Sequence, residues 1–297
     1  MKKMKWLKAL LIVAVLFLPL PVLAAGIDPV VSTDWLQKNL TNANLVVVDL
    51  RKVEDYQAGH IPGSINVFYG TWAIKAGTLL NELPAIDDLT DVIGGAGIDK
   101  NSQVVLVGKT EKVPEQFDMT RVAWTLKYMG IDNVGILSGG ITRWAKENKP
   151  LSKDAVKAKA KPFQAVVNKD LFADKAYVLG KIGQATILDT RAPAFYDGKE
   201  KLEFVPKMGR IKGAVNLPVG QLFTPEGLYK AKADLAALAE KAAGKDLNKE
   251  IIVYCDTGKT CTGWAFVMTK MLGYKDVKVY DGSFMEWAAD AAAPIEP

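Results

Sequence analysis

The stretch LVVVDLRKVEDYQAGHIPGSINV, residues 45–67, sets the pattern of the chain, because a related stretch follows it later in the sequence. The second stretch is ATILDTRAPAFYDGKEKLEFVPKMGRIKGAVNLP, residues 185–218. Each has a short apolar run that ends in Asp-x-Arg, followed by an aromatic residue, Gly-x-Ile-x-Gly and an asparagine. A further pair, YMGIDNVGILSGGITRWA at 128–145 and MLGYKDVKVYDGSFMEWA at 271–288, repeats in the same order. The sequence therefore indicates a tandem duplication.

Short apolar runs alternate with helical patterns in both halves, which is typical of α/β domains with a parallel sheet. The expected strands are residues 45–48, 104–107, 134–137, 186–188, 251–254 and 277–280. The expected helices are residues 119–129, 141–146, 230–242, 263–271 and 284–289. We expect two tandem α/β domains, residues 26–149 and 163–297, each a parallel sheet flanked by helices. A polar, proline-bounded linker at 150–162 joins them, and the charged segment 197–208 reads as a surface loop.

Residues 1–25 have the pattern of a signal peptide: four lysines and no acid, then an apolar core at 9–20 and small residues before a cleavage point. We expect cleavage near Ala25 or Gly26, with no integral membrane segment left in a periplasmic or secreted protein. An uncleaved signal anchor is the alternative, but Pro19 and Pro21 interrupt a stretch that is short for a membrane span.

Charge and metal-ligand content exclude several classes of function. The chain has 38 Lys and Arg; 38 less the 4 in the export signal leaves 34, against 33 acids. A balanced, mixed charge predicts no nucleic-acid partner. One histidine and two cysteines are too few for a four-ligand zinc site, so we predict no metal and no cofactor.

Both cysteines lie in YCDTGKTC, residues 254–261. A phosphate-binding loop would need glycine at the position of Val253, and a Cys-x-x-Cys redox motif would need a shorter spacing. Cys255 directly follows a predicted strand and precedes a helix, where backbone N–H groups and Lys259 should lower the pKa of a nucleophilic thiol. Asp256 should oppose this unless it turns to solvent. We interpret Cys261 as a packing residue, with a resolving thiol as the alternative.

With these motifs the chain resembles the rhodanese sulfurtransferase family, as two tandem rhodanese-like domains. The resemblance rests on three sets of residues: the two Asp-x-Arg and Gly-x-Ile-x-Gly pairs, the loop 255–260, and Tyr280-Asp281-Gly282-Ser283 with Trp287. It implies that Cys255 is the catalytic residue and cycles between thiol and persulfide. Gly108 stands at the matching place in the first domain, which is therefore expected to be inactive.

The resemblance also implies which residues bind the substrate. The loop residues expected to do so are Asp256, Thr257, Gly258, Lys259 and Thr260. Arg191 is expected either to contact the anionic donor or to form a structural salt bridge behind the strand.

The expected activity is transfer of a sulfane sulfur from thiosulfate or 3-mercaptopyruvate to a thiol or cyanide, and a non-enzymatic persulfide carrier is the alternative. Lys259 favours a sulfonate donor and Asp256 disfavours it, so the choice of donor stays open. A phosphatase of this fold is excluded because no arginine closes the loop. His60 is expected either near the active loop or in a purely structural turn.

Overall fold

The structure is a computed structural model that describes residues 26–297. The predicted signal peptide, residues 1–25, lies outside the described residues. Across residues 26–297, every helix falls short of the length and apolar character that crossing a bilayer requires. Two α/β halves follow one another along the chain, so the predicted fold class is confirmed.

Within the described part of the chain, the first half holds a five-stranded parallel sheet in the order β1-β7-β6-β2-β3 and a separate hairpin, β4–β5. Its strands are β1 (Val30–Val31), β2 (Leu45–Asp49), β3 (Ile65–Asn66), β4 (Ile74–Ala76), β5 (Leu79–Glu82), β6 (Gln103–Val107) and β7 (Val134–Leu137). Its helices are α1 (Thr33–Asn39), α2 (Val53–Ala58), α3 (Ile86–Gly95), α4 (Val113–Tyr128) and α5 (Gly140–Lys146). The central strand β6 is apolar and buried because helices cover both faces of a parallel sheet.

The second half, again counted within residues 26–297, repeats a five-stranded parallel sheet in the order β11-β9-β12-β13-β8, with a small antiparallel pair, β10–β14. Its strands are β8 (Phe172–Ala173), β9 (Thr186–Asp189), β10 (Arg210–Ile211), β11 (Val215–Asn216), β12 (Ile251–Tyr254), β13 (Val277–Tyr280) and β14 (Ile295–Glu296). Its helices are α6 (Lys175–Lys181), α7 (Pro193–Tyr196), α8 (Lys232–Ala243), α9 (Thr262–Phe266) and α10 (Ser283–Ala289). A π-helical segment, Val267–Leu272, continues α9.

The two halves meet where α4 packs against α9. Thr120 and Thr262 are fully buried, and their hydroxyl oxygens lie 2.9 Å apart, so each polar group satisfies the other. Gly263 permits the close approach, because a Cβ there would lie 2.6 Å from Cε1 of Phe117. This contact places residues of the first half beside the loop that precedes α9.

Several elements differ from the sequence expectation. Helix α4 begins at Val113, six residues earlier than predicted, because Pro114 suits a first turn and the Glu115 side chain accepts a hydrogen bond from the amide of Lys112 at 3.1 Å. The hairpin β4–β5 was not predicted. Residues 150–162 are extended along the first half, where the amide of Lys161 donates to the carbonyl of Gly94 at 2.9 Å. The segment 197–208 is mostly exposed, although Val205 is buried.

Candidate active site

The loop after β12 is held by hydrogen bonds to Ser283, the first residue of α10. Ser283 Oγ accepts hydrogen bonds from the amides of Cys255 at 3.3 Å and Gly258 at 2.9 Å, and donates to the carbonyl of Tyr280 at 2.7 Å. Gly258 has φ +72°, and a Cβ there would lie 2.3 Å from the carbonyl oxygen of Asp281. Only glycine fits this turn, because a side chain would clash with the backbone of Asp281.

Cys255 is 2% exposed. Burial raises the pKa of its thiol, but hydrogen bonds outweigh burial and bring the pKa to about 5. The bonds come from the Cys261 thiol, the Thr260 hydroxyl and the backbone amides of Cys261 and Thr257. Donors of this kind stabilise a thiolate and would equally hold the negative charge of a persulfide. The sulfur is therefore ionised at neutral pH.

Cys261 caps the start of α9 and is fully buried. Burial and the neighbouring Cys255 thiolate both hold its pKa well above the usual range, so it stays a protonated S–H donor. Both cysteines are free thiols. The packing interpretation thus covers only part of its role, because Cys261 also donates a hydrogen bond to the reactive sulfur.

The Arg191 side chain is 2% exposed and lies behind the loop. Its Nε donates to Asp189 at 3.0 Å and its Nη2 donates to the carbonyl of Gly209 at 2.8 Å. Its guanidinium carbon lies 4.1 Å from the ring centre of Phe284. Asp189 also accepts from the Tyr254 hydroxyl at 2.6 Å, which ties this pair to the end of β12. The geometry favours the structural salt bridge for Arg191, and its direct contact with a donor stays a prediction.

Asp256 does not turn fully to solvent, since its side chain is 18% exposed and faces Arg191. Oδ1 lies 3.6 Å from Nη1 of Arg191, and among residues 26–297 it has no hydrogen-bond partner. Burial and the Cys255 thiolate raise the pKa of this carboxyl to about 7. Asp256 is therefore a titrating group at the rim of the thiol site.

Lys259 contacts the first half, and its role in lowering the thiol pKa stays a prediction. Its ammonium pairs with Asp118 of α4 and lies 4.4 Å from the ring centre of Tyr69. Thr257 also contacts the first half, because its hydroxyl accepts from the Asn81 side chain at 2.9 Å. The predicted loop residues are thus brought together around Cys255, but two of them face the other domain.

Sequence reasoning missed the residues that the first half contributes. Arg121 of α4 is fully buried, donates to the carbonyl of Gly258 at 2.9 Å, and also bonds Asp281 and the carbonyl of Asn81. Asn81 adopts φ +60° and accepts from the Tyr69 hydroxyl at 2.9 Å. An arginine within the mostly apolar stretch MTRVAWTL was the available signal, because buried arginines are rare unless paired.

His60 contacts the linker. It is 1% exposed, its Nδ1 lies 3.0 Å from the carbonyl oxygen of Tyr56, and the two rings stack at 3.8 Å. Its backbone pairs with Ser152. These contacts fit the interpretation of His60 as a residue of a structural turn.

Gly108 occupies the matching place in the first half, where the neighbouring Lys109 pairs with Asp55 at 2.9 Å. A cleft of about 290 Å³ lies beside it. Without a thiol at this position, the first half offers scaffolding to the Cys255 loop rather than a second reactive sulfur. Across the described residues, no group of three or more potential ligands is placed to hold a metal ion.

The model of the Rhodanese-like domain matches residues 32–147 and 172–290, one copy in each half. The chain belongs to the rhodanese family. A Mycobacterium leprae protein named "Putative thiosulfate sulfurtransferase" is 30% identical over 277 residues, which is 91% of this chain and 98% of that protein.

Two other comparisons cover nearly the whole of the relative. The sulfur carrier protein TtuD of Thermus thermophilus is 28% identical over 285 residues, 90% of this chain and 96% of that protein. The crystal structure of the 3-mercaptopyruvate sulfotransferase SseA from Escherichia coli superposes with a TM-score of 0.74 at 25% identity, covering 86% of this chain and 99% of SseA. The match therefore extends over at least 96% of the length of each of these three proteins.

Proposed function

We propose that this rhodanese-family protein is a sulfurtransferase that carries a sulfane sulfur as a persulfide on Cys255. The observation that carries the proposal is a thiol with a pKa of about 5 inside a loop of hydrogen-bond donors. Such a thiol is ionised and held in place at neutral pH, which is what a sulfur nucleophile requires.

In the first half-reaction, the Cys255 thiolate attacks the sulfur of a small anionic donor: the outer sulfur of thiosulfate or the thiol sulfur of 3-mercaptopyruvate. A new S–S bond forms. With thiosulfate the old S–S bond breaks and sulfite leaves with its electron pair. With 3-mercaptopyruvate the C–S bond breaks, and the leaving enolate takes up a proton to give pyruvate. The donors that lowered the thiolate pKa then face the persulfide anion.

In the second half-reaction, a thiolate or cyanide attacks the outer sulfur of the persulfide. The S–S bond to Cys255 breaks, the acceptor leaves as a persulfide or thiocyanate, and the Cys255 thiolate is restored. Neither step needs an electron carrier, since the attacking group supplies the electron pair of each new bond and the leaving group departs with the pair of the broken bond.

The test is steady-state formation of thiocyanate from thiosulfate and cyanide, and of pyruvate from 3-mercaptopyruvate with a thiol acceptor. Cys255→Ala should abolish turnover, while Cys261→Ala should retain part of it because the nucleophile remains. Absence of turnover with both donors in the wild-type protein would reject the enzymatic form of the proposal.

A non-enzymatic persulfide carrier is the second candidate. The observation that favours it is the 2% exposure of Cys255, which shields a bound sulfur from small acceptors. A sulfur carrier protein among the relatives is consistent with this candidate. Intact-mass measurement after exposure to a donor should then show one added sulfur that small thiols release slowly, whereas rapid multiple turnover would exclude a carrier.

We also propose that the protein is exported to the periplasm or secreted, on the basis of residues 1–25. Mass measurement of the protein recovered from its own host should find a mature N-terminus at Ala25 or Gly26. A chain that begins at Met1 in every cell fraction would contradict export with cleavage.

A further inference from the structure

Cations that contact the Cys255 loop are each bonded to an aspartate. The three pairs are Arg191 with Asp189, Lys259 with Asp118 and Arg121 with Asp281. In each pair the carboxylate offsets the charge that would otherwise attract a dianion such as thiosulfate. Asp256 and the Cys255 thiolate then add negative charge on top of these balanced pairs. The ionised side chains around the sulfur therefore carry a net negative charge, which favours a cationic acceptor over an anionic acceptor of similar size.

Asp256 places one of these negative charges next to the reacting sulfur. It follows Cys255 directly in the chain, so the two Cα atoms are about 3.8 Å apart. Its Oδ1 is buried and faces Nη1 of Arg191 at 3.6 Å, but it accepts no hydrogen bond within residues 26–297. A buried carboxylate oxygen without a hydrogen bond is costly, and a ligand that supplies a donor relieves that cost. The charged groups that act most strongly on the carboxyl are the Cys255 thiolate, Arg191 and Asp189.

We infer that Asp256 selects sulfur acceptors that carry an ammonium group close to the reacting sulfur, namely amino thiols, over anionic acceptors. The inference rests on the proposed function, because it concerns the partner of the Cys255 persulfide. An amino thiol can place its sulfur on the persulfide while its ammonium donates to the Asp256 carboxylate. Charge-assisted hydrogen bonds of this type are among the strongest that a protein forms with a ligand.

The chemical step is unchanged by this contact. The thiolate of the amino thiol attacks the outer sulfur of the Cys255 persulfide, a new S–S bond forms and the bond to Cys255 breaks. Cys255 leaves as a thiolate with the electron pair, and the acceptor leaves as its persulfide. Asp256 accepts a hydrogen bond throughout and takes no proton.

The test compares three thiols of similar length and different charge: cysteamine, mercaptoethanol and mercaptopropionate. Cys255 is first loaded with sulfur from thiosulfate or polysulfide, and loss of the added sulfur is followed by quenched intact-mass measurement. Rate constants are expressed per thiolate, which removes differences in thiol acidity. At about pH 8, where Asp256 is ionised, cysteamine should exceed mercaptopropionate by roughly tenfold or more.

Asp256→Asn should bring the ratio of cysteamine to mercaptopropionate close to one while leaving a hydrogen-bonding side chain of the same size. Asp88→Asn, at an exposed position of α3, is the matched control and should keep the wild-type ratio. Lowering the pH to about 6 should reduce the wild-type ratio, because protonation removes the Asp256 charge while the ammonium stays.

Asp118→Asn provides an independent variant, because it frees Lys259 and should shift the preference toward mercaptopropionate. A ratio that neither Asp256→Asn nor the pH change moves would overturn the role of Asp256. Failure of wild-type Cys255 to take up any sulfur would instead overturn the proposed function, and the inference with it. The two failures are therefore distinguished at the loading step.

Discussion

Replacing Arg121 with methionine tests whether the first domain holds the Cys255 loop in shape. The guanidinium is fully buried, pairs with an Asp281 side chain that is 2% exposed, and donates to the carbonyl of Gly258 at 2.9 Å. Burial opposes its charge, but Asp281 keeps the pKa of Arg121 above the ordinary value. Arg121→Met leaves Asp281 charged and buried without this partner, and leaves two carbonyl groups without a donor.

The expected cost follows from these contacts. Removing one partner of a buried ion pair typically costs about 3–5 kcal/mol of the free energy of unfolding. Arg121→Lys keeps the charge but loses the guanidinium fork, so a smaller loss of about 1–3 kcal/mol is expected from the hydrogen bonds alone. Combining Arg121→Met with Asp281→Asn should cost less than the sum of the two single changes, because the double variant leaves no unpaired charge.

The assay is urea unfolding followed by circular dichroism, with alkylation of Cys255 by iodoacetamide at a series of pH values as the functional readout. A loosened loop should raise the pKa of Cys255 above about 5, because its amide donors are then less well placed. Arg143→Met is the control: this side chain is 40% exposed and pairs with Glu147 at 2.7 Å, so a loss below about 1 kcal/mol is expected.

The reasoning is refuted if Arg121→Met unfolds at the same urea concentration as Arg143→Met. The predicted effect on Cys255 is refuted if Arg121→Met is measurably destabilised but the pH dependence of Cys255 alkylation stays the same as in the wild-type protein. That second result would make Arg121 a purely structural link between the domains.

Three further predictions concern the loop itself. Cys261→Ala should raise the pKa of Cys255 above about 5 and Cys261→Ser should largely keep it, because a hydroxyl still donates to the sulfur; the pH profile of alkylation measures both. Gly258→Ala should cost about 1–3 kcal/mol more than Gly213→Ala in urea unfolding, because both glycines have positive φ but only the first has backbone in the way of a Cβ. Asp256→Asn should raise the melting temperature at about pH 8 but not below about pH 4. The folded state raises the pKa of Asp256 to about 7, so the wild-type protein loses stability as the pH rises from about 4 to about 7 and the buried carboxyl ionises.

Much of the fold could be predicted from the sequence because hydrophobic periodicity is a local property of the chain. The predicted strands at 134–137, 251–254 and 277–280 coincide with the observed ones, since a short apolar run between polar turns favours a buried strand. The hairpin β4–β5 was missed because its strands carry exposed or half-buried residues and no clear alternation. The start of α4 was missed because its first turn is polar and is defined by capping rather than by an apolar face.

The site likewise contains residues that the sequence located and contacts that only the structure revealed. Cys255 was found from its place between a strand and a helix, which is a statement about neighbours in the chain. The partner of Lys259 could not be found in this way, because Lys259 pairs with Asp118, more than a hundred residues away in sequence. Electrostatic partners depend on distance in space and on burial, and neither can be read from spacing along the chain.

The sequence by itself determined the duplication, the parallel α/β architecture and the single reactive loop, because each follows from residue order within short segments. The tertiary structure decided what surrounds the sulfur. Packing of α4 against α9 brings Arg121 under Gly258 and Asp118 beside Lys259. Burial and the neighbouring Cys255 thiolate raise the pKa of Asp256 to about 7. Contacts between distant segments arise on folding, so the charge balance of the site exists only in the folded protein.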